Sequence, residues 1–481
     1  MAYTRAAGAI DHVLQRAMAH HRAGRLAEAE ALYLEIVDAD PAHADATHLL
    51  GLVALQRGDP VRAIALIERA DELAPSNPVF LANLGDAYQK LDCPERAREC
   101  CEQALELKPD FPAARINLAN ALASLGHRDA AEECFRTVLA ADPSLDLARL
   151  NLGLLRLLRG DYATGLPLYE ARLGRANSGI GDTGRLLAKL RAVPRWRGES
   201  LQGKRVLVWT EQGLGDSVMM MRYLKPLKER GADVLTVLCE AALARMMGGV
   251  PEVDAVFSDT AGKDWRRRFD FHVPMLSLPL AFDTRLETIP APVPYLAMPD
   301  DLRNEWARKV EPLQAPRVGL AWAGGKKTAT DARRSIALAS FAPLLKQRGI
   351  SFVSLQKGPE ASQLASARSG ITDWMDDCDD LLETAALISQ LDLVISVDTV
   401  IAHVAGALGK PVWLLNRKES EWRWMLDRAD SPWYPTMRIF RQQHAGWSEV
   451  IQALGTAIES ELAPHRKGGP GGWLGNLFRR G

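Results

Sequence analysis

A fixed spacing of 34 residues runs through the N-terminal third of this chain. Four prolines keep this step, at Pro41, Pro75, Pro109 and Pro143. Small residues keep it as well, at Ala29, Ala63, Ala97 and Ala131. A unit of this length, with small residues where two helices touch and a proline at its exit, cannot bury its apolar face alone. The N-terminal third is therefore predicted to be an array of stacked helical hairpins.

The period and its recurring positions are typical of tetratricopeptide repeats. Four full repeats cover roughly Ile10 to Leu145, and a fifth, partial repeat runs to about Arg175. We therefore predict a repeat solenoid over residues 1–175 and a linker over residues 176–204. Stacked repeats of this kind form a curved surface that binds peptides or proteins.

Three asparagines hold one equivalent position on the first helix of successive repeats: Asn83, Asn117 and Asn151. In register they would form a ladder of amides along the groove. Because an amide both donates and accepts, such a ladder can pair with an extended peptide backbone of any sequence. The alternative is that the three are solvated helix residues.

Charge and composition exclude several classes of function. The chain has 59 Lys and Arg against 60 Asp and Glu, which does not favour a nucleic-acid surface. No apolar run reaches the ~18 residues of a membrane span, and the first residues lack the apolar region of a secretory signal. The six cysteines show no C-x-x-C pair and no metal-ligand spacing. We expect a cytoplasmic protein with reduced thiols and no transmembrane segment.

One stretch predicts a ligand site directly. Residues 391–397 read as a buried strand, Asp398 and Thr399 as a turn, residues 400–408 as a helix, and Pro411 opens the next strand. Ligands of parallel sheets lie beyond the carboxyl ends of the strands, where the N–H groups of a helix N-terminus hold a phosphate. Asp398 is alternatively the helix N-cap, and His403 a half-buried helix residue.

A second turn of this kind opens an α/β half over residues 205–310. The strand Arg205–Thr210 is followed by a turn in which Gly213 and Gly215 allow the backbone to approach a ligand closely. Asp216 in this turn could act as a general base, and the alternative is again a helix N-cap. His272, at the end of a later predicted strand, is the rival base.

The other α/β half is predicted over residues 311–463. Its strands are followed by loops that carry glycine, cations and an amide, which suit a bound diphosphate: Lys326, Lys327, Arg334, Gln356 and Lys357. Solvated surface charge is the alternative for Arg334. In the acidic stretch Asp376–Asp380, the segment Asp377–Cys378–Asp379 has the two-carboxylate pattern of metal-dependent sugar transferases, but it precedes a helix, where acidic residues are favoured. We therefore expect no metal. Residues 464–481 are predicted to form a loose tail.

Six sequence blocks together resemble bacterial tetratricopeptide-repeat glycosyltransferases, whose catalytic part is similar to the heptosyltransferases. The likeness covers about residues 162–460. The blocks are EQGLGDSVMMMRYL (211–224), PMLSLPL (274–280), VGLAWAGG with RRSI (318–336), SLQKG (354–358), LDLVISVDTVIAHVAGALGKPVWLL (391–415) and WRWMLDRADSPWYPTMRIFRQ (422–442).

This resemblance implies a GT-B fold, in which two Rossmann-like halves enclose the active site. It implies that Asp216 is the base and that Asp398, Thr399 and His403 contact the diphosphate and sugar of a donor held on the C-terminal half. Either Lys326 or Lys327 would be the cation of the glycine-rich loop. No metal and no cofactor is implied, since the nucleotide sugar is itself a substrate.

The combined prediction is an inverting glycosyltransferase whose repeats recruit a protein acceptor. Flagellin-modifying enzymes, which this arrangement resembles, are the precedent. Two other interpretations stay open. One is a repeat scaffold whose transferase part has lost its activity, and the other is a nucleotide-sugar epimerase or hydrolase.

Overall fold

Local sequence explains the helices of the N-terminal part. Proline occupies the first turn of four of its helices, a position where its missing N–H costs nothing. The large residues that recur every 34 positions are all buried: Tyr33, Ile67, Cys101, Phe135 and Tyr169. Gly51 shows why small residues recur, because a Cβ there would lie 2.8 Å from Ile67. The predicted repeat solenoid is confirmed.

Twelve helices precede the first strand in the described ranges, and among the first eight each helix packs against the next one along the chain. They are α1 (Ala2–Arg22), α2 (Leu26–Ala39), α3 (Ala44–Gln56), α4 (Pro60–Leu73), α5 (Pro78–Lys90), α6 (Pro94–Leu107), α7 (Pro112–Ser124), α8 (Arg128–Ala141), α9 (Asp146–Leu158), α10 (Tyr162–Tyr169), α11 (Ala171–Ala176) and α12 (Gly181–Leu190).

The computed structural model describes residues 2–176, 181–258, 268–325, 333–366, 370–444 and 446–462. The predicted tail from Pro464 onward, Lys326 and Lys327 lie outside these residues. The chain divides into two compact units, Met1–Leu155 and Arg156–Gly481. The domain boundaries predicted at 175, 204, 310 and 463 stay predictions. No helix in the described ranges is both long and apolar enough to cross a membrane.

The C-terminal unit contains two sheets in which every strand pairing is parallel. The first has the order β3-β2-β1-β4 and the second the order β10-β9-β8-β5-β6-β7. The strands are β1 (Lys204–Trp209), β2 (Ala232–Leu238), β3 (Ala255–Phe257), β4 (Phe271–Pro274), β5 (Arg317–Ala321), β6 (Ser351–Ser354), β7 (Ile371–Asp373), β8 (Leu393–Val397), β9 (Val412–Asn416) and β10 (Met437–Arg441).

Helices connect these strands, as parallel pairing requires. They are α13 (Leu214–Met220), α14 (Leu224–Glu229), α15 (Ala241–Gly248), α16 (Leu278–Ala281), α17 (Asp300–Val310), α18 (Ala342–Leu345), α19 (Gln363–Ser366), α20 (Leu381–Ser389), α21 (Val400–Ala407) and α22 (Ser448–Ala457). Strand β8 is buried at all five residues, as its continuous apolar run predicts. The predicted parallel α/β region is confirmed.

Candidate functional site

A cavity of about 700 Å³ lies where strands of both sheets end. Its walls come from the turns after β1 (residues 212–216), β5 (323–325), β6 (356–359) and β8 (398–401). All four turns follow the carboxyl ends of parallel strands, which is where ligands of such sheets bind. The structure thus brings most of the predicted site residues to one space: Gly213, Gly215, Asp216, Arg334, Gln356, Lys357, Asp398, Thr399 and His403.

At this cavity, a helix that follows a strand of the first sheet meets a helix that follows a strand of the second sheet. The first turn of α13 packs on α21, and a Cβ at Gly215 would lie 2.6 Å from Cδ2 of His403. Glycine is therefore required at 215 by the close approach of the two helices. The unusual backbone conformation of the turn is at Gln212, with a φ of 62°.

Asp216 has two partners. It is the third residue of α13, and its Oδ2 accepts the N–H of Gly213 at 3.1 Å, which caps the helix. Its Oδ1 accepts a hydrogen bond from Nη2 of Arg423. Asp216 is therefore not the N-cap residue, which is Gly213, although its carboxylate pairs with the N–H of that residue and also lines the cavity.

Arg423 was not found by sequence reasoning, although it stands in the sequence block that covers residues 422–442. Its side chain is 11% exposed, and its Nη1 lies 3.7 Å from a carboxylate oxygen of Glu421. Burial alone would lower the pKa of Arg423, but Asp216 and the other acidic groups around it raise that pKa above its ordinary value. The guanidinium is therefore a permanent positive charge within the cavity wall.

Asp398 and Thr399 stand where α21 begins. The N-cap residue is Thr399 rather than Asp398, and its side chain makes no capping bond. The backbone carbonyl of Asp398 accepts a hydrogen bond from Nη1 of Arg334 at 2.7 Å. Burial raises the pKa of the Asp398 carboxyl, and the nearby Glu421 raises it further. Asp398 therefore lines the cavity and is not the N-cap residue of α21.

His403 is held by a tyrosine. Its Nδ1 lies 3.0 Å from the hydroxyl of Tyr434, and the ring is buried. Burial holds the pKa of His403 well below its usual range, and the nearby arginines, Arg423 first, lower it further. The imidazole is therefore neutral at neutral pH. Since Tyr434 engages Nδ1, a ligand in the cavity would meet Nε2.

Gln356 ties two of the cavity turns together. Its Oε1 accepts the N–H groups of Trp322 and Ala323, at 3.1 and 2.8 Å, and its Nε2 donates to the carbonyls of Ala323 and Lys357. The amide is thus used to position the loops after β5 and β6. The ammonium group of Lys357 donates to the carbonyl of Cys378.

His272 is not among the residues that line the cavity. It lies on β4, is 5% exposed, and its Nδ1 accepts a hydrogen bond from Nε1 of Trp209 at 3.1 Å. Burial lowers the pKa of His272 to about 4, and Arg195 contributes to the same direction. The ring packs within the first sheet, and the structure does not bring it together with Asp216.

The predicted asparagine ladder lies in the N-terminal unit and is bonded between repeats. Nδ2 of Asn117 donates to the carbonyl of Ala82 at 2.9 Å, and Nδ2 of Asn151 donates to Oδ1 of Asn120 at 3.0 Å. Asn83 lies 2.9 Å from Nε2 of His48. All three are half-buried, so each amide links its repeat to a neighbouring helix.

A buried network of ion pairs, which the sequence did not indicate, lies next to the turn that carries Asp216. Arg172, on α11, donates to both carboxylate oxygens of Glu211, at 2.7 and 3.2 Å. Its Nη1 lies 2.6 Å from Glu170, and its Nη2 donates to Ser277. Both Arg172 and Glu211 are buried. The network therefore fixes the residue that directly precedes the cavity turn.

The acidic stretch 376–380 serves local structure. Oδ1 of Asp380 accepts the N–H of Glu383 at 2.9 Å and caps α20, as its position before that helix predicts. Asp377 forms an ion pair with Lys309 at 2.6 Å. Within the described ranges, no three His, Cys, Asp or Glu residues are arranged to hold a metal ion.

Comparison with known proteins finds two kinds of family that match parts of this chain. Tetratricopeptide repeat families match residues 14–78 and 94–153, and glycosyltransferase family 9 (heptosyltransferase) matches residues 378–451. Protein FlbA of Caulobacter vibrioides (strain ATCC 19089 / CIP 103742 / CB 15) is 30% identical over 332 residues, which cover 64% of this chain and 54% of FlbA. The chain thus spans about half the length of this curated relative.

Solved structures that resemble this chain match about a third of it. PilW, a widely conserved type IV pilus biogenesis factor, is 19% identical over 38% of this chain and 84% of PilW, with a TM-score of 0.33. MamA from Desulfovibrio magneticus RS-1 is 16% identical over 36% of this chain and 97% of MamA, with a TM-score of 0.30. The family matches show that the chain carries tetratricopeptide repeats in its N-terminal region and a glycosyltransferase family 9 (heptosyltransferase) domain in its C-terminal region.

Proposed function

We propose that this chain is a metal-independent, inverting glycosyltransferase that moves a sugar from a nucleotide-sugar donor to a protein recruited by its repeats. The observation that carries the proposal is the cavity shared by the carboxyl ends of strands from two parallel sheets. In this proposal the two sheets are the Rossmann-like halves of a GT-B fold. Residues 205–310 form the acceptor side and residues 311–463 the donor side.

The donor diphosphate would bind at the start of α21. The first N–H groups of a helix are unpaired within the helix and favour an anion, and Val400 and Ile401 there line the cavity. The hydroxyl of Thr399 and Nε2 of His403 add hydrogen-bonding groups. Positive charge comes from Arg334, Lys357 and Arg423, and either Lys326 or Lys327 is proposed to add to it.

Asp216 is proposed as the base. As the acceptor hydroxyl attacks the anomeric carbon, its proton passes to the Asp216 carboxylate and the bond from that carbon to the diphosphate oxygen breaks. Attack from the face opposite to the leaving group inverts the configuration at the anomeric carbon. The turn that carries Asp216 belongs to the first sheet, so the base faces a donor held by the second sheet across the cavity.

Transfer to protein tests this proposal. The full chain is incubated with a panel of nucleotide sugars and a cell extract, and mass spectrometry locates the sugar. Sugar on a protein supports the transferase, free sugar favours a hydrolase, a changed nucleotide sugar favours an epimerase, and no reaction with any donor favours an inactive scaffold.

The assignment of the base has its own test, which compares two variants. Asp216→Asn should lower turnover by ~10²–10⁴, the usual share of general base catalysis, without weakening donor binding. His272→Gln is the matched control and should keep near-normal turnover, because the ring does not line the cavity. If His272→Gln abolishes turnover and Asp216→Asn does not, the base is His272.

A further inference from the structure

Arg423 occupies an unusual position between two carboxylates. Its side chain lines the cavity and is nine-tenths buried. Its guanidinium contacts Asp216, in the turn after β1, and Glu421, two residues earlier in the chain. Its Nε is buried and has no hydrogen-bond partner among the residues that the structure describes. A buried donor of this kind costs free energy unless something else pairs with it.

The charge of the cavity wall points to the missing partner. The described lining residues include five carboxylates (Asp216, Asp379, Asp380, Asp398 and Glu421) and three cations (Arg334, Lys357 and Arg423). A dianionic diphosphate can bind to such a wall only if a cation is turned toward it. Lys357 donates to a backbone carbonyl, whereas Arg423 is paired with the carboxylate of Asp216, which another anion can replace.

We propose that Arg423 exchanges partners during the reaction: it pairs with Asp216 before the donor binds and hydrogen-bonds the diphosphate of the donor once the donor is bound. This rests on the proposed function and deepens it. The planar guanidinium suits two oxygens of a phosphate group, and Nε with one Nη forms the fork that such binding uses.

The exchange links donor binding to the availability of the base. While Arg423 donates to Oδ1 of Asp216, that oxygen is engaged; when Arg423 turns to the diphosphate, the oxygen can accept the proton of the acceptor hydroxyl. The hydroxyl oxygen then bonds to the anomeric carbon, and the bond from that carbon to the diphosphate breaks. The electron pair of the broken bond leaves on the diphosphate, where Arg423 stabilises the negative charge. The donor must therefore bind before the acceptor can react.

Calorimetric titration of the full chain with inorganic pyrophosphate tests the exchange, with UDP, GDP, ADP and dTDP as further probes. Arg423→Gln should weaken binding by about 10- to 100-fold, since a charged hydrogen bond is lost. Asp216→Asn should strengthen binding by several-fold, because it removes the competing partner. In the Arg423→Gln background, Asp216→Asn should strengthen binding less than it does in the unaltered chain, because only the general loss of negative charge remains.

Asp379→Asn is the matched control, because it removes the same charge from an exposed residue of the cavity wall. It should change pyrophosphate affinity equally in both backgrounds. The proposal is overturned if Arg423→Gln binds pyrophosphate as the unaltered chain does, or if Asp216→Asn strengthens binding equally with and without Arg423.

The titration also distinguishes failure of the exchange from failure of the proposed function. Should the unaltered chain bind neither pyrophosphate nor any nucleoside diphosphate, both the exchange and the proposed function fail; binding that Arg423→Gln leaves unchanged overturns the exchange alone. Circular dichroism checks that Arg423→Gln is folded. If it is not, Arg423→Lys takes its place, since lysine keeps the charge but not the fork, and it should weaken binding by several-fold; equal binding overturns the exchange.

Discussion

Gly215 has no side chain, and this allows α13 and α21 to pack closely against each other. Because an added Cβ would lie 2.6 Å from the ring of His403, Gly215→Ala overpacks this contact. We expect a loss of about 1–3 kcal/mol in the free energy of unfolding and weaker donor binding, as the ring is displaced. Thermal melting and calorimetry measure the two effects.

Gly248→Ala provides the control for this substitution. It also lies in a helix, but its added Cβ would meet only Val256, at an ordinary 3.9 Å. Alanine there should keep or slightly raise stability, since it is the better helix former. Equal behaviour of the two variants would mean that the close approach at Gly215 does not exist.

His48 makes the N-terminal unit sensitive to acid. Burial lowers its pKa to about 4, although Asp45 opposes the shift, while the unfolded chain protonates its histidines near pH 6.5. Between these values the unfolded chain binds more protons, so the free energy of unfolding falls as the pH falls. We expect His48 to account for about 2 kcal/mol of destabilisation at pH 5 relative to pH 7.

Urea unfolding of the full chain and of His48→Gln at both pH values measures this contribution. Glutamine keeps an acceptor for Asn83 but does not titrate, so the variant should lose less stability between pH 7 and pH 5 than the unaltered chain. An equal loss in both proteins would show that His48 is already exposed to water in the folded state.

Single residues differ in how well sequence alone locates them. Asp398, Thr399 and His403 follow a recognisable strand, so their place at its carboxyl end could be predicted. Arg423 could not be found in this way, because its importance lies in a contact with Asp216, which is 207 positions away. His272 also follows from a strand pattern, but the pattern does not show that Trp209 occupies its ring nitrogen.

At the scale of the element, the repeat helices are the part that sequence predicts best. Their period fixes which positions face a neighbouring helix, and the observed bounds follow the prolines. What the period could not reveal is that the three ladder asparagines also bond between repeats. That depends on which carbonyl or ring each amide reaches after stacking.

The ladder therefore has two effects that an experiment must separate. Changing Asn83, Asn117 and Asn151 together to Ala should weaken acceptor binding by more than tenfold, since each lost hydrogen bond is worth about 0.5–1.5 kcal/mol. It should also lower the melting temperature of the repeats, because the bonds between repeats disappear. Binding is measured with the acceptor protein below the melting transition.

Gln89→Ala is the control for the ladder. Its Nε2 donates to Ser124 of the next repeat at 2.7 Å, so it removes a bond of the same kind outside the ladder. It should lower stability without changing acceptor binding. If the triple variant affects only stability, in the same way as Gln89→Ala, the ladder is structural and the acceptor binds elsewhere.

At the scale of the whole molecule, two truncations test where the catalytic part begins. Removing residues 1–145 should abolish transfer to protein and leave donor binding intact. Removing residues 1–175 also takes away Tyr162, Tyr169 and Arg172, which belong to the C-terminal compact unit. Glu211 then keeps a buried charge without Arg172, at a cost of about 3–5 kcal/mol.

We therefore expect the longer truncation to melt at a lower temperature and to bind the donor at least tenfold more weakly. The shorter truncation is its matched control, because it retains α10 and α11. Equal donor binding by the two would show that these helices do not support the cavity, and equal transfer to protein with and without the repeats would contradict acceptor recruitment by the solenoid.

The helices α10 and α11 also bear on how such a chain could be recombined. Tyr162 accepts a hydrogen bond from Trp433 of the second sheet's segment, Tyr169 bonds Gln212, and Arg172 bonds Glu211. A repeat array can therefore be exchanged for another only if the junction lies before these residues. A new set of repeats joined near Leu155 would keep these three contacts, and under the proposed function it would change the acceptor while leaving the cavity unchanged.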